Sequence, residues 1–569
     1  MKAFCAILVL AAACNHATPA PSRAEGAPRP DVTLPPADPL QAARELSDEA
    51  HALLRSEGNR LWQRWTTGAG APPSSALAEH PRLLDRQSLA LVTAAVAKKP
   101  DAPALPLLRQ QIAAMQISRE AGPEIDALER ARAQLSFTAP GADGAPRTER
   151  DLDRLLTDES SAQKRTQIAL AEARAARQLE PLALARDAAV EKAIASLNLV
   201  SWSALEESAH GIAVPDLAAL AEKTLLATEG VAGKAVASVS VRNIGVTVDR
   251  LRRSDLARLV RPALADPQFS PGRAWPRVEE VFARIGVELP QPLHVDAEPS
   301  PSKGARPLAL LIDPPADVRL SLRPAGGFEE QRATFHEGAR AAGGALTRAA
   351  AWELAQLGDG SAAEGIAQLF ENLAGDPSWL REATQLRGEP LDDLVHTQAA
   401  RRLLAARRAA AMVLFEVKRR EGPHTAEAQA ALYRGLIQRA TFATLSDDDA
   451  ARWALEADTS AHAAPLLGAL LAAQLELPKA PAPGMADPVP WWKAPESGAA
   501  LKQLWSRGRS LTAMEAAHTT DKMTLDPQSL ATVADLRLSY KAPDAPPATP
   551  KPNYKYMQDD KKRRRHKKR

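Results

Sequence analysis

Cysteine is nearly missing from this 569-residue chain, and the two that occur, Cys5 and Cys14, both fall within the first fifteen residues. A disulfide framework and thiolate chemistry are therefore excluded from the body, and any metal site there must draw on His, Asp and Glu. Aromatic residues make up only 4% of the chain, with four tyrosines, a composition that argues against a sheet-dominated fold. Neither sign of charge prevails, since 72 basic and 69 acidic side chains leave a formal +3, so bulk charge selects no class of partner. Beyond the N-terminus no stretch offers the uncharged apolar length needed to cross a bilayer. Phosphate-binding glycine loops and serine elbows are also lacking.

What is abundant is Ala, Leu and Arg, residues that lose little freedom in helices. Length alone suggests one large helical body or two to three domains. Met1 and Lys2 lead into an apolar run from Ala3 to Ala13 ending in Leu-Ala-Ala-Ala-Cys14. The run is too short to span and reads as a secretory signal of lipoprotein type, residues 1–14, with Cys14 as the lipidated residue. Plain cleavage further on, near Ala-Thr-Pro-Ala, is the alternative. Residues 15–39 form a Pro-rich tether. Residues 40–147 carry helical spacing in an N-terminal region, and residues 148–540 form the main body.

Within that body, the run from Thr148 to Leu199 is expected to be helical apart from a break or kink at Pro181. The strand-like segments are LHVDAE, LALLID and VRLSL, between about Gln291 and Leu322. Residues 541–569 finish in KKRRRHKKR, eight like charges that repel one another and predict a disordered basic tail able to attract anionic surfaces.

One constellation carries chemistry. GGFEEQRATFHEGARAAGG places His336 and Glu337 inside a helix bounded by glycines, and Glu364 follows 28 residues after His336. In a zinc peptidase, two histidines four apart on one helical face bind the metal. The Glu beside the first activates water, and a glutamate on a later helix completes the set. His336, Glu337 and Glu364 suit three of these four roles. The fourth position is Arg340, which has no lone pair to donate. Two bland readings stand beside this one: Ser361 and Glu364 also suit a helix capping box, and a lone His336 suits a hydrogen-bonded core residue.

The surrounding blocks extend the pattern. RRSDLARLVRP (252–262), LHVDAE (293–298), RPAGGFEEQRATFHE (323–337), LGDGSAAEGIAQLFENLAGDPSWL (357–380) and WWKAPESGAALKQLWSRGRSLT (491–512) resemble, in order, a bacterial branch of the gluzincin metallopeptidases of the thimet-oligopeptidase and angiotensin-converting-enzyme type. The resemblance implies a mainly α, large multi-helix metallopeptidase-like body with a small β element before the motif helix. It also implies zinc as the family's cofactor, His336 and Glu364 as vestigial zinc ligands, Glu337 as the general-base position, and Arg340 as the degenerate ligand position.

A second departure is the lack of an oxyanion-stabilising tyrosine, because DTSAHAAPLLGALLAAQ offers only His462. The expectation is an exported, membrane-anchored pseudopeptidase with weak or no peptidase activity and a binding or regulatory role, in which zinc is absent or weakly bound and a peptide or protein is the candidate ligand of the cleft. Nucleic acid is not an expected physiological partner. The alternatives are an active zinc peptidase recruiting His294 or His396, and a helical scaffold whose tail does the binding. His396, His424 and His518 otherwise read as isolated residues, and the Trp491–Trp492 pair as packing at a helix start.

Overall fold

The computed structural model describes residues 38–138, 145–290, 293–457, 462–477, 489–520 and 522–543. Cys14, the signal segment, the tether before Asp38 and the tail from residue 544 onward lie outside the described residues. The chain is mainly α with small sheets. Among the described residues no helix is long and apolar enough to cross a membrane.

The first helix, Pro39–Thr67, starts where Asp38 accepts a hydrogen bond from the Leu40 amide and ends at Gly68 in a left-handed conformation. Ala43, Leu46, Ala50 and Leu53 recur at three and four residues and are buried. They pack with helices Arg86–Lys98 and Ala104–Glu120, and the same apolar cluster takes in Val190 and Ile194, Trp202 and Val214. The core of the N-terminal helices thus continues past residue 147.

Pro181 sits in the first turn of helix Glu180–Ser196, after a short 3-10 turn at Arg177–Leu179, where its missing amide costs nothing. Sequence periodicity does not reveal a second break, at Glu159–Ser161, where the Ser161 hydroxyl accepts from the Lys164 amide and starts helix Ala162–Ala176. Nor does it reveal the antiparallel pair Ser136–Thr138 and Pro146–Thr148, whose three-residue strands are too short to show alternation.

The three segments read as strands form one sheet. Leu293–Asp296 runs parallel to Asp317–Ser321, which pairs antiparallel with Leu308–Asp313. Side chains alternate across a strand, so the sheet has two distinct faces. Ala309, Val318 and Leu320, with Leu293 and Val295, meet Ala341 and Ala345 of the motif helix Phe328–Leu346. Leu308, Leu310 and Ile312 meet Leu61, Trp62 and Trp65 of the first helix. At Gly344 a Cβ would lie 2.7 Å from Leu311, so the glycine permits this close approach of helix to sheet.

The motif helix then packs on helix Ser361–Leu373, which in turn packs on helix Ala463–Glu476. The second contact is close because two glycines face each other, and a Cβ on Gly468 would lie 2.9 Å from the Gly365 amide nitrogen.

Candidate functional site

The motif helix presents Glu329, Arg332, His336 and Arg340 at steps of three, four and four residues, which stacks them on one face. Helix Ser361–Leu373 answers with Glu364, Gln368 and Glu371, at steps of four and three. The two rows meet in a polar seam. His336 Nδ1 lies 2.7 Å from Glu371 Oε2, and its Nε2 lies 3.5 Å from Glu364 Oε2. Arg332 pairs with Glu371 on one side and with Glu329 on the other, at 3.1 Å for the latter, and Arg401 from helix Glu389–Glu421 reaches Glu329 at 2.8 Å. Gln368 donates to Glu364 at 3.1 Å and to the Pro465 carbonyl at 3.1 Å.

Glu337 projects to the sheet side, where one oxygen accepts from the Ala309 amide at 2.9 Å. Arg340 Nη1 stands 3.1 and 3.2 Å from the two Glu337 oxygens. The seam is half-buried, with side-chain exposures of 9% at His336 and 19% at Glu364. Such burial pushes the Glu364 carboxyl upward, but the His336 charge and hydrogen bond, with Arg340 and Gln368, outweigh it and hold it down at about 2. Glu329 behaves alike: burial opposes ionisation, and Arg332 and Arg401 bring it down to about 2. Burial lowers Arg332 itself, seconded by the like charge of Arg401, to about 10.

The structure therefore brings His336, Glu337, Glu364 and Arg340 together. The capping-box reading of Glu364 is overturned. Gly360 occupies the cap position in a left-handed conformation, Ser361 is already helical, and the Ser361 hydroxyl accepts from the Ala513 amide at 2.7 Å. The carboxylate of Glu364 is turned to His336 and Gln368 instead.

These residues do not suit a tight zinc site. His336 Nε2 and Glu364 supply two donors, the position four residues on is a guanidinium, and a catalytic zinc takes three protein ligands. Among the described residues no group of three His, Cys, Asp or Glu side chains is arranged to hold a metal ion. The remote ligands considered from sequence are engaged elsewhere. His294 lies on the sheet face turned away from the motif helix, edge-on to Trp62 with ring centroids 5.9 Å apart. His396 Nε2 lies 3.3 Å from the Tyr540 carbonyl. His462 Nε2 lies 3.2 Å from the Glu456 carbonyl, and Tyr433 is buried with its hydroxyl on Glu456 at 2.6 Å. His424 and His518 are exposed. The Trp pair packs as expected: Trp491 lies edge-on to Phe370, and buried Trp492 donates to Ser378.

Glu371, Gln368, Arg332 and Glu329 were not singled out from sequence, although their spacing from His336 and Glu364 was visible there. Arg401 carried no such signal, because only the tertiary packing of helix Glu389–Glu421 brings it in. Also unforeseen is His210, at the end of helix Trp202–His210. It bridges Asp359, at 2.6 Å from Nδ1, and Glu206, at 3.4 Å from Nε2. Neither a protein-family model nor a curated protein matches the chain.

Proposed function

We propose that this chain is an exported, lipid-anchored relative of the thimet-oligopeptidase and angiotensin-converting-enzyme metallopeptidases, in which hydrolysis has given way to a binding or regulatory role. Support comes from one observation above the rest, the pairing of Arg340 with both oxygens of Glu337. A general base must accept a proton from water. A carboxylate whose oxygens already accept from a guanidinium and from the Ala309 amide has little lone-pair capacity left to receive a proton from water. Glu329, Glu337 and Glu371 are instead paired with arginines and Glu364 with His336 and the charge of Arg340, which stands where a ligand histidine would.

In this reading Cys14 carries the lipid that holds the protein at a membrane, the cleft takes a peptide or protein, and the basic tail adds salt-sensitive attraction to anionic surfaces. The purified mature protein should carry well under one zinc per chain and cleave no general peptide substrate. Arg340→His supplies a third donor and should raise zinc occupancy towards one, measured by elemental analysis after dialysis against zinc. Stoichiometric zinc in the wild type, together with chelator-sensitive cleavage, would overturn the reading in favour of a working peptidase. Cys14→Ser should move the protein from the membrane fraction to the soluble exported fraction.

A further inference from the structure

Away from the seam, the first turns of helix Ala162–Ala176 and the loop after helix Val214–Ile244 enclose an open groove of about 480 Å³. Its volume falls in the range of small-molecule sites. Two arginines, Arg250 and Arg252, line it, and among the described residues neither guanidinium is in a salt bridge.

The contrast with their neighbours is informative. Arg253 is paired with Asp449 and Glu172, and Arg174 and Arg177 with Asp448. The one carboxylate in the groove lining, Asp255, is already neutralised, because buried Arg165 holds it at 2.7 and 3.0 Å. Its other oxygen accepts from the Arg252 amide at 3.0 Å. Asp249 is fully exposed and lies outside the lining, and its carboxyl is lowered first by a hydrogen bond to Thr247. The groove therefore presents net positive charge.

The remaining wall is neutral and hydrogen-bonding: Gln163 and Gln167 offer amides, and the Thr166 hydroxyl, which donates to the Ala162 carbonyl at 3.0 Å, keeps only acceptor capacity. Guanidinium forks select phosphate or carboxylate oxygens, the first turn of a helix adds positive potential, and amide and hydroxyl groups select a hydroxylated neighbour. We propose that this groove binds a phosphate-bearing polyol, either free in solution or as the headgroup of a lipid. The inference does not rest on the reading given for the His336 seam.

Titration calorimetry of the full mature chain with glycerol 3-phosphate should give saturable binding, tighter than that of inorganic phosphate. Arg250→Gln with Arg252→Gln should weaken it at least tenfold while leaving the melting temperature of the unliganded protein unchanged, since both side chains are exposed. Co-sedimentation of the unlipidated Cys14→Ser chain with phosphatidylglycerol vesicles, against phosphatidylcholine controls, separates the two sources. Arginine-dependent binding to vesicles without binding of glycerol 3-phosphate assigns the ligand to a lipid surface, and the reverse assigns it to solution. The basic tail is retained in the double variant, so any attraction it causes persists there. The proposal is overturned if neither probe binds at millimolar concentration, or if the double variant binds as the wild type does.

Discussion

Helix Ser361–Leu373 borders two buried histidines that are bound in the same way but whose carboxylate partners are placed differently. His336 bridges Glu371 and Glu364, at 2.7 and 3.5 Å. His210 bridges Asp359, just before the same helix, and Glu206, at 2.6 and 3.4 Å. At the seam the acids have other cations, since Arg332 pairs with Glu371 and the charge of Arg340 reaches Glu364. Around His210 burial is nearly complete, and the imidazole is the main counter-charge. Burial opposes protonation there, yet the hydrogen bond to Asp359 and the close approach and charge of Glu206 raise His210 to about 10. A histidine between two carboxylates is thus not in itself a site. Guanidinium partners and water access make one replaceable and the other structural.

The comparison can be broken by substitution. His210→Gln should cost on the order of 3 kcal/mol, because it removes the cation between buried Glu206 and Asp359, although Asp359 still accepts from the Ser361 amide and hydroxyl. A denaturant titration with an unchanged slope would measure it. Arg340→Ala should cost about 2 kcal/mol, since Glu337 keeps the Ala309 amide and partial access to water. His336→Gln should cost about 1 to 2 kcal/mol, since Glu371 keeps Arg332 but Glu364 loses the charge that chiefly holds it ionised and retains only Arg340 and Gln368. Equal losses for His210→Gln and His336→Gln would remove the distinction.

Proton linkage sharpens the same contrast, because the two clusters should fail at opposite ends of the pH scale. The folded value of His210 is raised from 6.5 to about 10. Its stabilisation is then complete below pH 6.5 and is lost as pH rises through about 10. Glu364 is lowered from 4.5 to about 2, so its contribution is present above pH 4.5 and lost as pH falls towards 2. Thermal melts across pH should therefore show an alkaline limb that His210→Gln flattens and an acid limb that Glu364→Gln flattens. A single limb removed by both variants would show one coupled cluster instead of two.

Much of the fold was legible before any coordinates. Helical spacing, the break before Pro181 and the three strands before the motif helix all depend on local chemistry that a sequence carries. The core of the site was legible too, because His336, Glu337 and Arg340 share one helix and Glu364 follows at a telling distance. What could not be read are the contacts made by packing: Arg401 on Glu329, the Ala309 amide on Glu337, and His210 beneath Asp359. The capping box at Ser361 misled because Gly360, free to adopt a left-handed conformation, took the cap position and left Ser361 to serve the Ala513 amide. The sheet also disposes of His294 as a ligand through simple parity, since its neighbours Leu293 and Val295 face the motif helix and His294 cannot.

The sheet has a mechanical consequence. The first helix begins at Pro39, and its Leu61, Trp62 and Trp65 grip the strand Leu308–Asp313, whose Ala309 amide holds Glu337. A pull applied through the N-terminal segment would enter the body along this helix, loading first the helices packed on Ala43, Leu46, Ala50 and Leu53 and then the sheet at its far end. Whatever reaches that far end is passed by the strand to the Glu337–Arg340 pair, so the sheet couples the first helix to the motif helix.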